Sequence, residues 1–268
     1  MKNVKKGIAI IGLGYVGSAY QKLLPGAIIY DPAKGHKDKK AVNQCGLAIV
    51  CVPTPSAPDG SCNTSLVEET VAWLKTPLIL IKSTVEPGTT KRLKGKYKKR
   101  ICHSPEYIGE GKYYVAPWKY PHPTDPIHHT FMIVGGTPED REEVIQFFLP
   151  ILGPDRIYFQ TDETTSELIK YMENVWGAMK VTFCNEFYEI AKKFKVDYNQ
   201  LREGFLLDSR TERMHTAVFK NKRGFGGKCF PKDIAALIKF SEKAGYEPKL
   251  IKQVVKSNEE FVKMNEEK

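Results

Sequence analysis

The stretch GIAIIGLGYVG, Gly7 to Gly17, decides the fold. Gly7 to Ile11 is a short continuous apolar run, the pattern of a strand covered on both faces of a parallel sheet. Three glycines follow at once in Gly12-Leu13-Gly14-Tyr15-Val16-Gly17. Gly12 makes the tight turn, Gly14 leaves room for a pyrophosphate against the backbone, and Gly17 lets the next helix pack on the strand. That helix runs through Leu24, a second apolar run spans Ala27 to Tyr30, and Asp31 follows, nineteen residues after Gly12. A carboxylate at this spacing accepts from the adenosine ribose hydroxyls and repels a 2′-phosphate, which favours NAD over NADP. Lys34 and Lys37 are the contrary signal. Gly12, Gly14, Tyr15, Val16, Gly17 and Asp31 are therefore expected to bind the cofactor, with the helix N-terminus offering unpaired N–H groups to the phosphates.

Outward from this unit the alternation continues through Leu47 to Val52, a Ser65-x-x-Glu68 capping box opening a helix to Leu74, Leu78 to Ile81, Thr130 to Val134, a helix from Thr137-Pro138 to Leu149, and Arg156 to Gln160. Such repetition specifies an α/β fold with a doubly wound, Rossmann-type parallel sheet. Ligands in these sheets bind at the carboxyl ends of strands, so Pro53, Thr54, Ser83 and Thr84 are expected to line the cofactor crevice. Composition changes after Asp162. From a Thr164-x-x-Glu167 cap, Leu168, Tyr171, Val175, Met179, Phe183, Phe187, Ile190 and Phe194 keep helical spacing over about thirty residues, nearly 50 Å at the helical rise. A helix that long crosses between domains or pairs with a second subunit. Residues 1–162 are thus expected to form the NAD-binding domain and residues 163–268 a mostly helical domain. On the long helix Lys170 and Asn174 lie one turn apart, a spacing that by itself reads as solvated surface.

Gly224-Phe225-Gly226-Gly227-Lys228-Cys229-Phe230-Pro231-Lys232-Asp233 combines a glycine run, one thiol and a cation-carboxylate pair, which a packed core does not require. Lysines at 228 and 232 flank Cys229, and nearby cations favour the nucleophilic thiolate. Pro231 is placed to open a helix with Asp233 in its first turn. A glycine loop carrying a buried structural cysteine is the competing reading.

The remaining features set bounds. A chain of 268 residues accommodates one large or two modest domains. No run of eighteen apolar residues or signal-like N-terminus is present, and a cytoplasmic protein is expected. The six cysteines show no paired or zinc-ligand spacing, so neither disulfides nor a metal are expected. Net charge of +10 points to an anionic partner. Much of the excess lies in the runs Lys37 to Lys40 and Lys91 to Arg100, without the aromatic interleaving of a nucleic-acid groove. A phosphorylated small molecule fits at least as well as nucleic acid.

With both halves read, the chain resembles the UDP-glucose/GDP-mannose dehydrogenase family, enzymes that oxidise a nucleotide-sugar C6 alcohol to the carboxylate with two NAD. The resemblance rests on GLGYVG at Gly12, VPTP at Val52, STVEPGT at Ser83, SPEYIGEG at Ser104, ELIKYMEN at Glu167 and GFGGKCFPKD at Gly224, with the cysteine motif nearest the UDP-glucose branch. It implies Cys229 as nucleophile, Lys170 and Asn174 as oxyanion-stabilising groups, and Glu106, Glu110, Thr84 and Asp233 around a catalytic water and thioester. Substrate contacts are implied for Glu106, Lys170, Asn174, Arg210 and Gly226, and a homodimer through the long helix. Family members usually run longer and carry a third, nucleotide-binding domain, which this chain is expected to lack; a loop containing Trp118, Tyr120, His122 and His128 is a candidate substitute for its contacts. An NAD-dependent dehydrogenase of another hydroxylated substrate and a non-catalytic NAD-binding module are the alternatives.

Overall fold

The computed structural model describes residues 7–108, 114–115, 118–119 and 126–265. Two units divide the chain, Met1–Pro55 with Cys62–Lys170, and Ser56–Ser61 with Tyr171–Lys268.

In the first unit, strands β1 (Ile8–Ile11), β2 (Ile28–Tyr30), β3 (Leu47–Val50), β4 (Leu78–Ile81), β5 (Ile101–His103), β8 (Phe131–Gly135) and β9 (Ile157–Thr161) form one sheet in the order β2-β1-β3-β4-β5-β8-β9. Strands β6 (Tyr114–Val115) and β7 (Trp118–Lys119) pair separately with each other. The connecting helices are α1 (Tyr15–Leu23), α2 (Lys39–Val42), α3 (Ser65–Trp73), α4 (Thr89–Tyr97) and α5 (Pro138–Leu152). The order reverses between β1 and β3, which makes the carboxyl ends of these strands the switch point of the sheet.

Alternation along the strands builds a core on each face. Ile10, Leu47, Ile49, Leu78 and Leu80 pack with Tyr20 of α1 and Val144 and Phe148 of α5. Ala9, Ile11, Ala48, Val50, Ile79 and Ile81 pack with Val67 and Val71 of α3 and Leu93 of α4. A large aliphatic side chain buried this way contributes about 1.5–3 kcal/mol, and both faces of three consecutive strands do so.

The sheet departs from the expected all-parallel arrangement at one place: β8 runs antiparallel to β5, joined at His103 and Gly135. Among the described residues only a three-residue 3-10 turn, Pro126–His128, and no α-helix lies between these strands, and a parallel return would need a longer crossover. Helix α5 supplies one for β8 and β9, which are parallel.

Both expected capping boxes are corrected. Ser65 is already helical; its N–H donates to Asn63 Oδ1 at 3.0 Å, while Glu68 accepts from Arg92 on α4 at 2.7 Å. Helix α6 (Glu163–Lys193) is capped by Asp162, which accepts from the Thr165 N–H and hydroxyl at 2.9 and 2.6 Å. An aspartate just ahead of the helix reaches the first-turn donors with its short side chain, leaving Glu167 for another task.

The second unit contains α6 from Tyr171 onward, α7 (Tyr198–Phe205), α8 (Cys229–Lys243) and α9 (Lys249–Lys263). Val175, Ala178, Phe225, Ile234 and Val254 form its main core. The opposite side of α6 leaves Trp176, Phe183, Phe187 and Ile190 exposed, and Phe194 just past its end is exposed too.

The turn after β1 tests the packing argument. Gly12 has φ +89, and a Cβ on Gly17 would sit 1.8 Å from the Gly12 carbonyl oxygen. Gly17→Ala must push α1 off the strand, and a destabilisation of roughly 2 kcal/mol is expected in urea denaturation; an unchanged midpoint would show that the helix moves without cost.

Candidate active site

The glycine turn in the first unit is a cradle closed from behind and open in front. Asp31 Oδ2 accepts from the Leu13 N–H at 2.8 Å, and Lys34 Nζ donates to the Leu13 carbonyl at 2.5 Å. Lys34, the contrary signal for cofactor choice, is thus engaged by the loop itself. A Cβ at Gly14 would meet nothing within 4 Å. Helix α1 has no side-chain cap and no acidic residue in its first turn, so its N–H groups face this open space with the positive end of the helix dipole. The residues fit a dinucleotide pyrophosphate here, with exposed Tyr15 and half-buried Val16 in the first turn. At the ends of β3 and β4, Thr54 Oγ1 donates to the Thr84 carbonyl and Ser83 Oγ to the Val52 carbonyl, each at 2.7 Å. These bonds tie the two strand ends together beside exposed Pro53.

Beyond β5 the same unit gathers charge. Lys170 on α6 is 6% exposed, with Nζ 3.8 Å from Glu106 Oε1 and 5.3 Å from the centre of the Tyr107 ring. Glu106 Oε2 accepts from the Ile108 N–H at 2.7 Å, which fixes the carboxylate. The solvated-surface reading of Lys170 is therefore wrong: the first-unit end of α6 faces protein. Glu110 and most of the loop from Val115 to Asp125 lie outside the described residues.

Sequence reasoning missed two buried charges next to these groups. Lys82, 3% exposed at the end of β4, donates to Ser104 Oγ at 3.0 Å and the Pro105 carbonyl at 2.8 Å, and stands over the Tyr20 ring. Burial pushes its ammonium down to about 8. The visible signal was a lysine ending an otherwise apolar strand, LILIK. The second is Glu167, fully buried, which accepts from the N–H groups of Gly88 at 2.5 Å and Thr90 at 2.8 Å. It caps α4, a helix without a side-chain cap of its own, and lies one turn before Lys170.

In the second unit the glycine run ends in α8, which begins at Cys229 rather than at Pro231. Proline is tolerated here because its missing N–H falls in the first turn, where no intrahelical acceptor is waiting. Cys229 is half-buried, the other five cysteines are buried, and none of the six is in a disulfide. One turn later Asp233, 1% exposed, accepts from Asn174 Nδ2 at 2.5 Å and pairs with Lys232. Asn174 is itself 3% exposed, so it too leaves the surface reading. Gly226 is exposed in the run, and Arg210 is exposed and held by Asp208.

The basic run Lys91 to Arg100 is largely consumed internally. Arg92 and Lys96 meet Glu68, Lys94 meets Glu163, Arg100 meets Asp140 and Glu143, and Lys99 Nζ donates to three carbonyls at the end of α3. Among the described residues no group of three or more His, Cys, Asp or Glu side chains could hold a metal ion, and no helix is long and apolar enough to cross a membrane.

The model of the NAD binding domain of the UDP-glucose/GDP-mannose dehydrogenase family matches residues 33–121, and that of its central domain matches residues 164–260. The UDP-glucose 6-dehydrogenase of Rickettsia bellii (strain RML369-C) is 31% identical over 222 residues, covering 79% of this chain and 48% of that protein. UDP-glucose 6-dehydrogenase TuaD of Bacillus subtilis (strain 168) is 28% identical, covering 95% of this chain and 63% of that protein. The chain thus spans roughly half to two thirds of the length of these relatives. Among solved structures, a UDP-glucose dehydrogenase from Pyrobaculum islandicum superposes with a TM-score of 0.78 at 26% identity, covering 97% of this chain and 69% of that one.

Glu167 yields a pH prediction. Burial lifts its carboxyl to about 7, against the pull of its N–H donors. The folded value exceeds the unfolded one, so the stability this group contributes is complete below about pH 4.5 and is lost as pH rises to about 7. Denaturation from pH 5 to 7.5 should show the wild type losing stability relative to Glu167→Gln; parallel curves would mean that the carboxyl is not held high.

Proposed function

Because the chain belongs to the UDP-glucose/GDP-mannose dehydrogenase family and carries its NAD-binding domain, we propose that it is an NAD-dependent nucleotide-sugar 6-dehydrogenase, converting UDP-glucose to UDP-glucuronate. One observation carries the reading: successive turns of α6 each bury a polar side chain against a carboxylate, Lys170 with Glu106 in the first unit and Asn174 with Asp233 in the second. Solvated surface does not look like this, and an inert core would not tolerate it without cost.

NAD, when bound to Gly12, Gly14, Gly17, Asp31 and the strand-end residues, supplies the hydride acceptor. Oxidation of the C6 alcohol requires its hydroxyl proton to leave, and Lys170, or water held by Glu106, receives it. The resulting aldehyde has no easily lost hydride. Cys229 Sγ then adds to the carbonyl carbon, forming a C–S bond while the thiol proton passes to the oxygen; the thiohemiacetal loses its hydroxyl proton and its C6 hydride, for which a second NAD would be the acceptor, and becomes a thioester. Lys170 and Asn174 stabilise the oxyanions, an effect worth about 3 kcal/mol per donor in comparable sites. Water held by Asp233 adds to the thioester, the C–S bond breaks, and the acid leaves with the thiol restored. Thr84 and Gly226 shape the surroundings, and Arg210, exposed here, serves the substrate of a second subunit.

That second subunit is proposed to seat on the exposed apolar side of α6. Light scattering should give a dimer, and Phe183→Glu with Phe187→Glu a monomer; a monomeric wild type would remove this part of the reading. For the chemistry, NADH formation with UDP-glucose, GDP-mannose and related nucleotides should favour UDP-glucose and yield two NADH per acid. Cys229→Ser should abolish acid formation, and Lys170→Ala should lower kcat about 100-fold with NAD binding kept. Undiminished turnover in Cys229→Ser would rule out the covalent route, and simple alcohols as the better substrates would rule out the nucleotide sugar.

A further inference from the structure

Buried backbone needs partners, and Arg223 and Phe225, 6% and 8% exposed, lie in a segment that is neither strand nor helix. Asparagines supply those partners. Asn258 on α9 accepts from the Phe225 N–H at 2.6 Å and donates to the Phe225 carbonyl at 3.0 Å. Just past the end of α9, Asn265 repeats the pattern with Arg223, at 2.8 and 3.2 Å. A carboxamide carries the same donor and acceptor as a peptide group, so the C-terminal helix acts as a neighbouring strand for this segment. Between these two residues, Gly224 N–H donates to Asn185 Oδ1 on α6 at 3.2 Å. Gly224 has φ +74, and a Cβ there would lie 2.6 Å from Asn258 Oδ1, so only glycine lets α9 come this close.

Anchoring continues on both sides of the segment. The Arg223 guanidinium bonds Glu189 at 2.6 Å and Asn185 Oδ1 at 2.7 Å and covers the Tyr188 ring. Phe225 enters the core and meets the Phe230 ring edge-on at 6.1 Å. Gly226, Gly227 and Lys228 are exposed between these two aromatics, and Cys229 directly precedes the second. The direction in which the thiol leaves the loop is therefore set by how Arg223 to Phe225 are held.

We propose that Asn258 and Asn265 are positioning residues: α9 and the turn that follows it grip the backbone of Phe225 and Arg223 through paired carboxamide bonds and so present Cys229 at the start of α8. An apolar side chain at 258 would fill the same space beside Val254 and Phe261, the other buried residues of the helix. The carboxamide spends its donor and one acceptor on the N–H and C=O of a single residue, which fixes orientation as well as packing. The importance of Cys229 to catalysis rests on the function proposed above; the geometry of its presentation does not.

The test separates the two. Iodoacetamide modification of Cys229, followed on its own peptide by mass spectrometry across pH 6 to 9, requires no substrate. Asn258→Asp keeps the shape but sets a carboxylate oxygen against the Phe225 carbonyl; Asn265→Ala removes the second pair from the half-buried turn after the helix. In folded protein that still binds NAD, each should move the midpoint of the rate–pH profile upward, by about one unit for Asn258→Asp. With nucleotide sugar, kcat should fall about tenfold while KM stays within about twofold. Profiles superimposable on wild type in the folded variants overturn the proposal, and if Asn258→Asp fails to fold, Asn265→Ala decides alone. A wild type that makes no NADH with any nucleotide sugar sinks the proposed function and leaves the thiol profiles to judge the clamp.

Discussion

Helix α6 carries a run of polar side chains into protein interior, and the need to satisfy each of them organises both units. Ser166 bonds His103 at the end of β5, Glu167 bonds the start of α4, and Lys170 faces Glu106. Further on, Asn174 bonds Asp233 and Asn185 bonds Arg223 and Gly224. An unpaired buried polar group costs about 1–3 kcal/mol, so a rotation of the helix that broke several of these pairs at once would consume much of a domain's net stability. The residues of chemical interest share the helix with those that lock it, and their orientation is inherited from the lock.

Electrostatics at the end of the sheet follows from the same constraint. Two lysines, Lys82 and Lys170, lie in one buried region beside Glu106, and the burial that lowers Lys82 is reinforced by Lys170. His103, next to them, is pushed down to about 3 by burial and by Lys82, and therefore stays neutral at ordinary pH. Exclusion of water is the largest influence on Lys82 and His103 alike, with Cys51 and Glu106 pulling Lys82 the other way.

Much of this was legible in the sequence because it depends on local rules. The run from Gly7 to Asp31 has one mechanical solution, and the structure realises it with Gly12 in the turn and Gly17 beneath the helix. The long apolar period after Asp162 likewise gives α6 its length. What escaped depends on partners distant in sequence. Nothing near Lys170 or Asn174 announces that Glu106 and Asp233 will meet them, so their spacing alone pointed to solvent. Glu167 fitted a capping box because its target, the unsatisfied end of α4, is nearly eighty residues away. The antiparallel β8 was hidden for a related reason: strand direction is decided by the connection, and apolar periodicity says nothing of it.

Helix α4 shows what that distance entails while the chain is being made. It begins after Gly88 at φ +90, ends at Lys98 at φ +53, and has no acidic residue in its first turn. A nine-residue helix of this kind is marginal alone. Its cap arrives only when Glu167 does, so a nascent chain that has already emerged through β5 still holds an open helix end over a growing sheet. Completion of the first unit therefore waits on the first turns of α6, the last stretch of that unit to be synthesised.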